Sequence, residues 1–274
     1  MTVAAEAGID IPPPPARGWP RERILGHVLV GAWALAGVYL VFYLISAWNP
    51  DLFDRWVRPY LSGLGVTMLL VAISIALGAL LSIPIAYGRM TSNRILSAIA
   101  YGYVYFFRGT PLLAQTFLIY YGIGSLRPQL EAIGLWVFFR EAWYCAILAF
   151  TLNTAAYQAE ILRGAIQSVP KGQWEGAASL GLHKLQTLWK VILPQAMIVA
   201  LRPYGNEIIL TLKSSAVVAL VTVPDLMGVT RLAYSRSFDF QTYIWAALLY
   251  LALVESLRHG VEWIERGLTR HLVR

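Results

Sequence analysis

The chain has 274 residues, 58% of them apolar and only 14% charged, with a formal net charge of +7. An ordinary soluble domain carries roughly 25% charged residues, so the composition excludes a water-soluble fold and points to lipid as the solvent. The positive balance fits basic flanks of membrane spans better than nucleic-acid binding.

Residues 1–23 read as a cytoplasmic, proline-rich tail whose run Pro12–Pro15 is extended and solvated. The tail lacks the pattern of a secretory signal. Six long apolar segments follow, at about Ile24–Ala47, Tyr60–Tyr87, Leu96–Tyr121, Trp143–Ile161, Val191–Leu212 and Thr242–Leu257. Each is long enough to cross a hydrocarbon core of roughly 30 Å as a helix. Helix is the default, because an isolated strand leaves its backbone groups unsatisfied in lipid. A seventh piece, Val217–Met227, is too short to cross and holds Pro224 and Asp225, so it reads as re-entrant or surface-lying. The expected fold is therefore an all-α membrane protein with six transmembrane helices.

Lysine and arginine set the orientation. With the N-terminus in the cytoplasm, inside segments hold thirteen of them and outside segments seven, which favours both termini inside. Trp48, Trp56, Trp136, Trp143, Trp245 and Trp263 lie mostly near span ends, as interfacial anchors do. The single cysteine, Cys145, sits in an apolar stretch and reads as a small buried hydrophobe.

Polar residues at membrane depth are costly and mark candidate pathways. Gly109-Thr110-Pro111 breaks the third span, since Pro111 removes a helix hydrogen bond. Such breaks expose backbone to substrate in transporters. Arg108 at the break can hold a carboxylate bidentately or pair with Glu160 or Glu207. Asn153, Tyr157 and Glu160 share one helical face at i, i+4 and i+7. On that face Glu160 can meet a cationic ligand group or form a salt bridge with Arg163 or Arg202. Gln115, Arg202, Asn206 and Glu207 complete the candidate path, although Asn206 and Lys213 serve equally to line a pore or to bind a paired subunit.

The cytoplasmic loop 162–190 is the longest polar interior stretch. Within it Gln173–Leu180 has a helical pattern, with Glu175 in the first turn and Gly181 at the C-terminal cap position. Trp174, Ala177, Ala178 and Gly181 form a face of mostly small residues open to close approach.

Glu175-Gly176-Ala177, then Gly181, then Leu193-Pro194 resembles the EAA loop of ATP-binding-cassette importer permeases, with its spacing kept. Gly176 replaces the first alanine and Val191 the isoleucine. Three further stretches resemble polar amino-acid permeases in family order: Phe107–Gln115, Thr151–Gly164, and Asn206–Lys213 followed by Thr222–Asp225. The resemblance covers about Tyr60 to Leu272 and is closest to the M-type permeases of histidine and opine (octopine, nopaline) systems.

That resemblance implies a type I permease core of five helices within 60–264. The span 24–47 is then an extra N-terminal helix, and 265–274 a cytoplasmic tail. It implies that Trp174, Glu175, Gly176, Ala177, Gly181 and Pro194 couple the chain to an ATPase. The implied partners are a homologous permease subunit or a second copy, two ATPase subunits and a periplasmic substrate-binding protein, in a bacterial inner membrane. Basic amino acids or opines are the implied cargo. The chain has no G-x-x-x-x-G-K-[ST] cradle, so ATP is expected on the separate ATPase, and the chain itself is expected to have no catalytic or metal site. An ion-coupled secondary transporter is the alternative, although no internal repeat supports it.

Overall fold

A computed structural model describes residues 20–269; most of the expected tail 1–23, and the last residues of 265–274, lie outside them. Every regular element among the described residues is helical. The chain divides into two compact units, one ending at Pro50 and one beginning at Asp51.

The first unit holds α1, Arg21–Ser46. It starts just after Pro20, whose extended backbone places it before the first helical turn. None of its side chains is buried within the structure. It is apolar all round, without a polar face, as expected of a helix surrounded by lipid.

Helix α2 spans Pro50–Met90, all but its first residue in the second unit, 41 residues against the expected 60–87. At 1.5 Å per residue it is about 61 Å long, roughly twice a hydrocarbon core. Its buried residues Gly63, Thr67, Leu70, Ser74, Gly78 and Ser82 recur every three or four positions, a stripe of mostly small side chains. Gly78 is required there: a Cβ would lie 2.5 Å from Thr154 Cγ2. The stripe thus admits another helix at close range.

Helix α3 (Arg94–Gly109) is started by Asn93, whose side chain accepts from the backbone of Ile95 and Leu96. After the break, α4 (Leu112–Phe117) continues as a π-helical turn, Leu118–Ile123. Short helices α5 (Arg127–Ala132) and α6 (Trp136–Phe139) follow. Helix α7 (Ala142–Ser168) runs through the centre and packs on α3, α4 and α10. It continues to Ser168, so the first residues of the expected loop 162–190 are helical.

Helix α8 (Lys171–Ser179) crosses the remaining loop, and α9 (Lys184–Thr187) leads through a π-helical turn into α10 (Leu193–Ser214). A 3-10 turn, Ser215–Val221, is followed by α11 (Leu226–Ser237) and α12 (Gln241–Thr269). The segment Val217–Met227 is not surface-lying. Val218, Val221 and Val223 pack with Leu70, Cys145 and Phe150 in a buried cluster, and Asp225 is fully buried as the N-cap of α11.

Among the described residues, four helical stretches are long and apolar enough to cross a membrane: Arg21–Ser46, Pro50–Met90, Lys184–Val221 and Gln241–Thr269. The other two expected spans fall short of that criterion for visible reasons. One is divided at Thr110–Pro111. The other, in α7, carries Asn153, Gln158 and Glu160 on a helix that is largely covered by its neighbours.

Candidate functional site

The break between α3 and α4 is closed by side chains. Pro111 has no N–H, so the carbonyl of Phe107, four residues back, loses its helical donor. Gln115 Nε2 supplies one substitute at 2.9 Å and Asn153 Nδ2 another at 2.9 Å. Gln115 Nε2 also donates to the Thr110 carbonyl and to Thr110 Oγ1, while its Oε1 accepts from Asn153 Nδ2 at 3.0 Å. The kink is thereby fixed to α7, and the amides of Gln115 and Asn153 are engaged in holding it.

This kink forms one wall of a cavity of about 460 Å³. Arg108, Gly109, Thr110 and Pro111 contribute from the break, Asn153 and Tyr157 from α7, and Glu207, Thr211 and Ser214 from α10. The guanidinium of Arg108 lies over the Tyr157 ring, 5.1 Å from its centroid. Its nearest carboxylate oxygen is Glu160 Oε2 at 3.9 Å. Among the described residues, Arg108 donates no hydrogen bond. Glu207 faces the same cavity. It accepts from Thr154 Oγ1 at 2.8 Å and from Thr211 Oγ1 at 3.3 Å, and among the described residues it forms no ion pair. The cavity therefore offers the guanidinium of Arg108, which makes no hydrogen bond but forms a loose ion pair with Glu160 at 3.9 Å, and a Glu207 carboxylate without an ion pair among the described residues.

Glu160 lies beside a second cavity, of about 400 Å³, that shares Arg108, Gly109 and Tyr157 with the first. Its carboxylate takes Arg163 Nη2 at 2.7 Å and Arg89 Nε at 2.9 Å. The salt-bridge reading of Glu160 holds for Arg163 and not for Arg202. Arg202 instead pairs with Glu265 on α12 at 2.6 Å, and with Asn206 it lines a separate cavity between α10 and α12. Of the sequence candidates, Arg108, Gly109, Thr110, Pro111, Asn153, Tyr157 and Glu207 meet at the first cavity, with Gln115 bracing its wall and Glu160 next door.

Sequence reasoning missed Arg89, Thr154 and Thr211. Thr211 stands four residues after Glu207, so its reach to that carboxylate was readable from helical spacing. Arg89 reads only as a basic flank, and nothing local in the sequence pairs it with Glu160, 71 residues away.

The loop helix α8 ends in a Schellman arrangement. Gly181 has φ +75°, its N–H donates to Ala178 O, and Leu182 N–H donates to Ala177 O. Ala177 is buried, while Glu175 and Gly176 are exposed. Trp174 packs against a cluster of Ile166, Val169, Ile192 and Ala196 at the ends of α7 and α10. Pro194, in the first turn of α10, is exposed. The loop helix is thus seated on the two helices that line the first cavity, with its acidic side free.

Residues 74–270 match the family described as "Binding-protein-dependent transport system inner membrane component". The chain is similar to the nopaline transport system permease NocM of Agrobacterium fabrum, at 41% identity over 77% of this chain and 88% of the relative. The octopine permease OccM of Rhizobium radiobacter is 37% identical, over 74% of this chain and 84% of the relative. The arginine permease ArtM of Haemophilus influenzae is 36% identical, over 74% and 88%.

Among solved structures, an amino acid ABC transporter crystallised with histidines superposes with a TM-score of 0.70. It is 32% identical, and the match covers 78% of this chain and 96% of that one. A MetNI methionine transporter chain matches with a TM-score of 0.61 over 80% of this chain and 97% of that one, at 19% identity, a likeness of fold. These matches disfavour the ion-coupled alternative. The family match, the permease relatives and the shared fold place this chain in the family of binding-protein-dependent transport system inner membrane components, as a multi-pass membrane protein.

Proposed function

We propose that the chain is the permease subunit of an ATP-binding-cassette importer that moves polar, basic amino acids or opines into the cytoplasm by alternating access. The observation that carries this reading is the first cavity, where Arg108 and Glu207 present opposite charges without ion-pairing to each other. A zwitterionic amino acid matches both. Its carboxylate suits the planar guanidinium of Arg108, and its ammonium suits Glu207. Glu207 is buried, and a buried polar group discriminates strongly, because a ligand lacking the matching group leaves it unpaired.

Six spans with both termini in the cytoplasm fit the basic flanks, with the third span kinked at Pro111 and the fourth formed by α7. On that arrangement α8 lies on the cytoplasmic side and docks into an ATPase subunit through its exposed residues Glu175, Gly176 and Gly181, whereas Trp174 and Ala177 face this chain and seat the helix on α7 and α10 instead of meeting the ATPase. ATP binds to that subunit, and this chain does no hydrolysis of its own. Two ATPase copies, a homologous permease or a second copy of this chain, and a periplasmic binding protein complete the assembly.

The test is uptake of radiolabelled arginine into vesicles holding the assembled transporter. Arg108→Ala and Glu207→Gln are each expected to lower uptake at least tenfold at unchanged membrane levels. Uptake within twofold of wild type for both variants contradicts this assignment of the cavity.

A further inference from the structure

Glu207 is held by one oxygen and keeps the other. Thr154 Oγ1 donates to its Oε1 at 2.8 Å, and Thr211 Oγ1 donates to the same atom at 3.3 Å. Among the described residues Oε2 accepts no hydrogen bond, so it is the oxygen left for a ligand. Thr211 lines the first cavity, whereas Thr154 is buried and does not line it. The direction of the Thr154 hydroxyl is set by a further residue, Gln158.

Gln158 stands one turn after Thr154 on α7 and is fully buried. Its Nε2 donates to the Ile75 carbonyl on α2 at 3.2 Å and to Thr154 Oγ1 at 3.1 Å. The Ile75 carbonyl orients the amide, since only the NH2 end can face an acceptor. Thr154 Oγ1 thus receives a donor from Gln158, and its own single hydrogen is left for Glu207. The donors run in order from Gln158 through Thr154 to Glu207 Oε1. An ionised carboxylate fits the end of that chain, because it only accepts. Gly78 of α2 closes the back: a Cβ there would lie 2.5 Å from Thr154 Cγ2 and 2.9 Å from Gln158 Nε2. Both side chains therefore pack against bare backbone, which limits their rotation.

Gln158 brings a cost. Its Oε1 is buried without a hydrogen-bond partner among the described residues, and such an atom is destabilising. An apolar side chain of similar length would fill the space without that cost. Ile75 does not require the amide either, because it lies within α2, whose own N–H groups serve its carbonyl. Stability therefore does not account for a glutamine here, whereas its donor to Thr154 does. We infer that Gln158 and Thr154 form a positioning relay, which fixes Glu207 as a charged acceptor and leaves Oε2 for the ammonium of the cargo. Neither residue touches the cargo. This inference rests on the proposed role of Glu207 in the first cavity.

The test is equilibrium binding of radiolabelled arginine to the assembled transporter in nanodiscs, without binding protein, with thermal unfolding followed in parallel. Glu207→Gln is expected to raise the Kd at least tenfold. Gln158→Leu is expected to raise it three- to tenfold without lowering the unfolding midpoint. In the Glu207→Gln background, Gln158→Leu is expected to change the Kd by less than twofold, because the relay has lost the carboxylate it serves. Thr154→Ser keeps the hydroxyl and is expected to bind within twofold of wild type. Thr154→Val keeps the shape and is expected to bind as weakly as Gln158→Leu.

A Kd within twofold of wild type in Gln158→Leu, beside a weakened Glu207→Gln, overturns the relay and leaves the amino-acid path standing. So does a full further loss from Gln158→Leu in the Glu207→Gln background, since a purely structural residue acts in either background. Where Gln158→Leu does not fold, or Glu207→Gln leaves no binding to measure, the two Thr154 variants decide. Serine near wild type with valine weakened supports the relay, and any other pattern overturns it. Glu207→Gln within twofold of wild type, or no arginine binding in the wild type, overturns the amino-acid path and the relay with it.

Discussion

At the residue scale, the Phe107 carbonyl shows how a local rule becomes a tertiary contact. Pro111 removes its donor, and Gln115 and Asn153 replace that donor from two different helices. A polar group left unsatisfied away from water costs about 1–3 kcal/mol. Gln115→Leu leaves that carbonyl with Asn153 alone and is expected to destabilise the protein by less than that amount, read as a lower thermal unfolding midpoint in detergent. Asn153→Leu acts on the same carbonyl, so the double variant is expected to lose more than the two single losses combined. Unchanged unfolding in Gln115→Leu contradicts the bracing role. The break itself was legible in the sequence, because proline chemistry is local. The brace was not, because Asn153 is 38 residues from Gln115 and the register between their helices is set by packing. Glu207 was legible as a costly intramembrane acid. Its lack of an ion pair was not, since that depends on where Arg108, Arg89 and Arg163 point.

At the element scale, α8 is short and carries two glycines with opposite meanings. Gly181 ends it in the left-handed region, at φ +75°, where an L side chain costs about 1–2 kcal/mol. Gly181→Ala is expected to fray the helix end. Limited proteolysis at 179–184 is expected to speed up several-fold, and coupled uptake to fall. Gly176 lies in mid-helix, where an added Cβ would meet nothing within 4 Å. Gly176→Ala gains about 1 kcal/mol of helix propensity and is expected to slow the same cleavage. Proteolysis that ignores both substitutions contradicts this reading of the helix. The position of Gly181 was readable from sequence through its spacing after the helical pattern. The bounds of α2, α7 and α12 were not: hydropathy marks the apolar stretch, whereas these helices continue into more polar sequence. Helix α7 extends seven residues past its apolar stretch, and α12 runs on to Thr269.

At the scale of the whole molecule, the polar residues of the Asp51–Arg274 unit sort themselves by helix face. One face of α10 gives Glu207 and Thr211 to the first cavity, and another gives Arg202 to an ion pair with Glu265 on α12. Sequence alone puts both sets on one path, because each is an ionisable group at membrane depth. Only the packing of α10 between α7 and α12 separates them. The loop helix is joined to the same two cavity-lining helices through Trp174 and its cluster. That packing is the physical route on which the proposed coupling from α8 to α7 and α10 rests. Glu175 is exposed on the free side of α8, so reversing its charge is expected to leave the fold intact while testing the proposed docking.

The most direct measurement is ATP-dependent arginine uptake into vesicles holding the chain with its ATPase and binding protein, for wild type and Glu175→Lys. The expected result is uptake that requires ATP and binding protein and is abolished by Glu175→Lys, with membrane levels of the chain unchanged. Uptake that proceeds without the ATPase, or that ignores the reversed charge at position 175, contradicts the coupling of transport to ATP through α8.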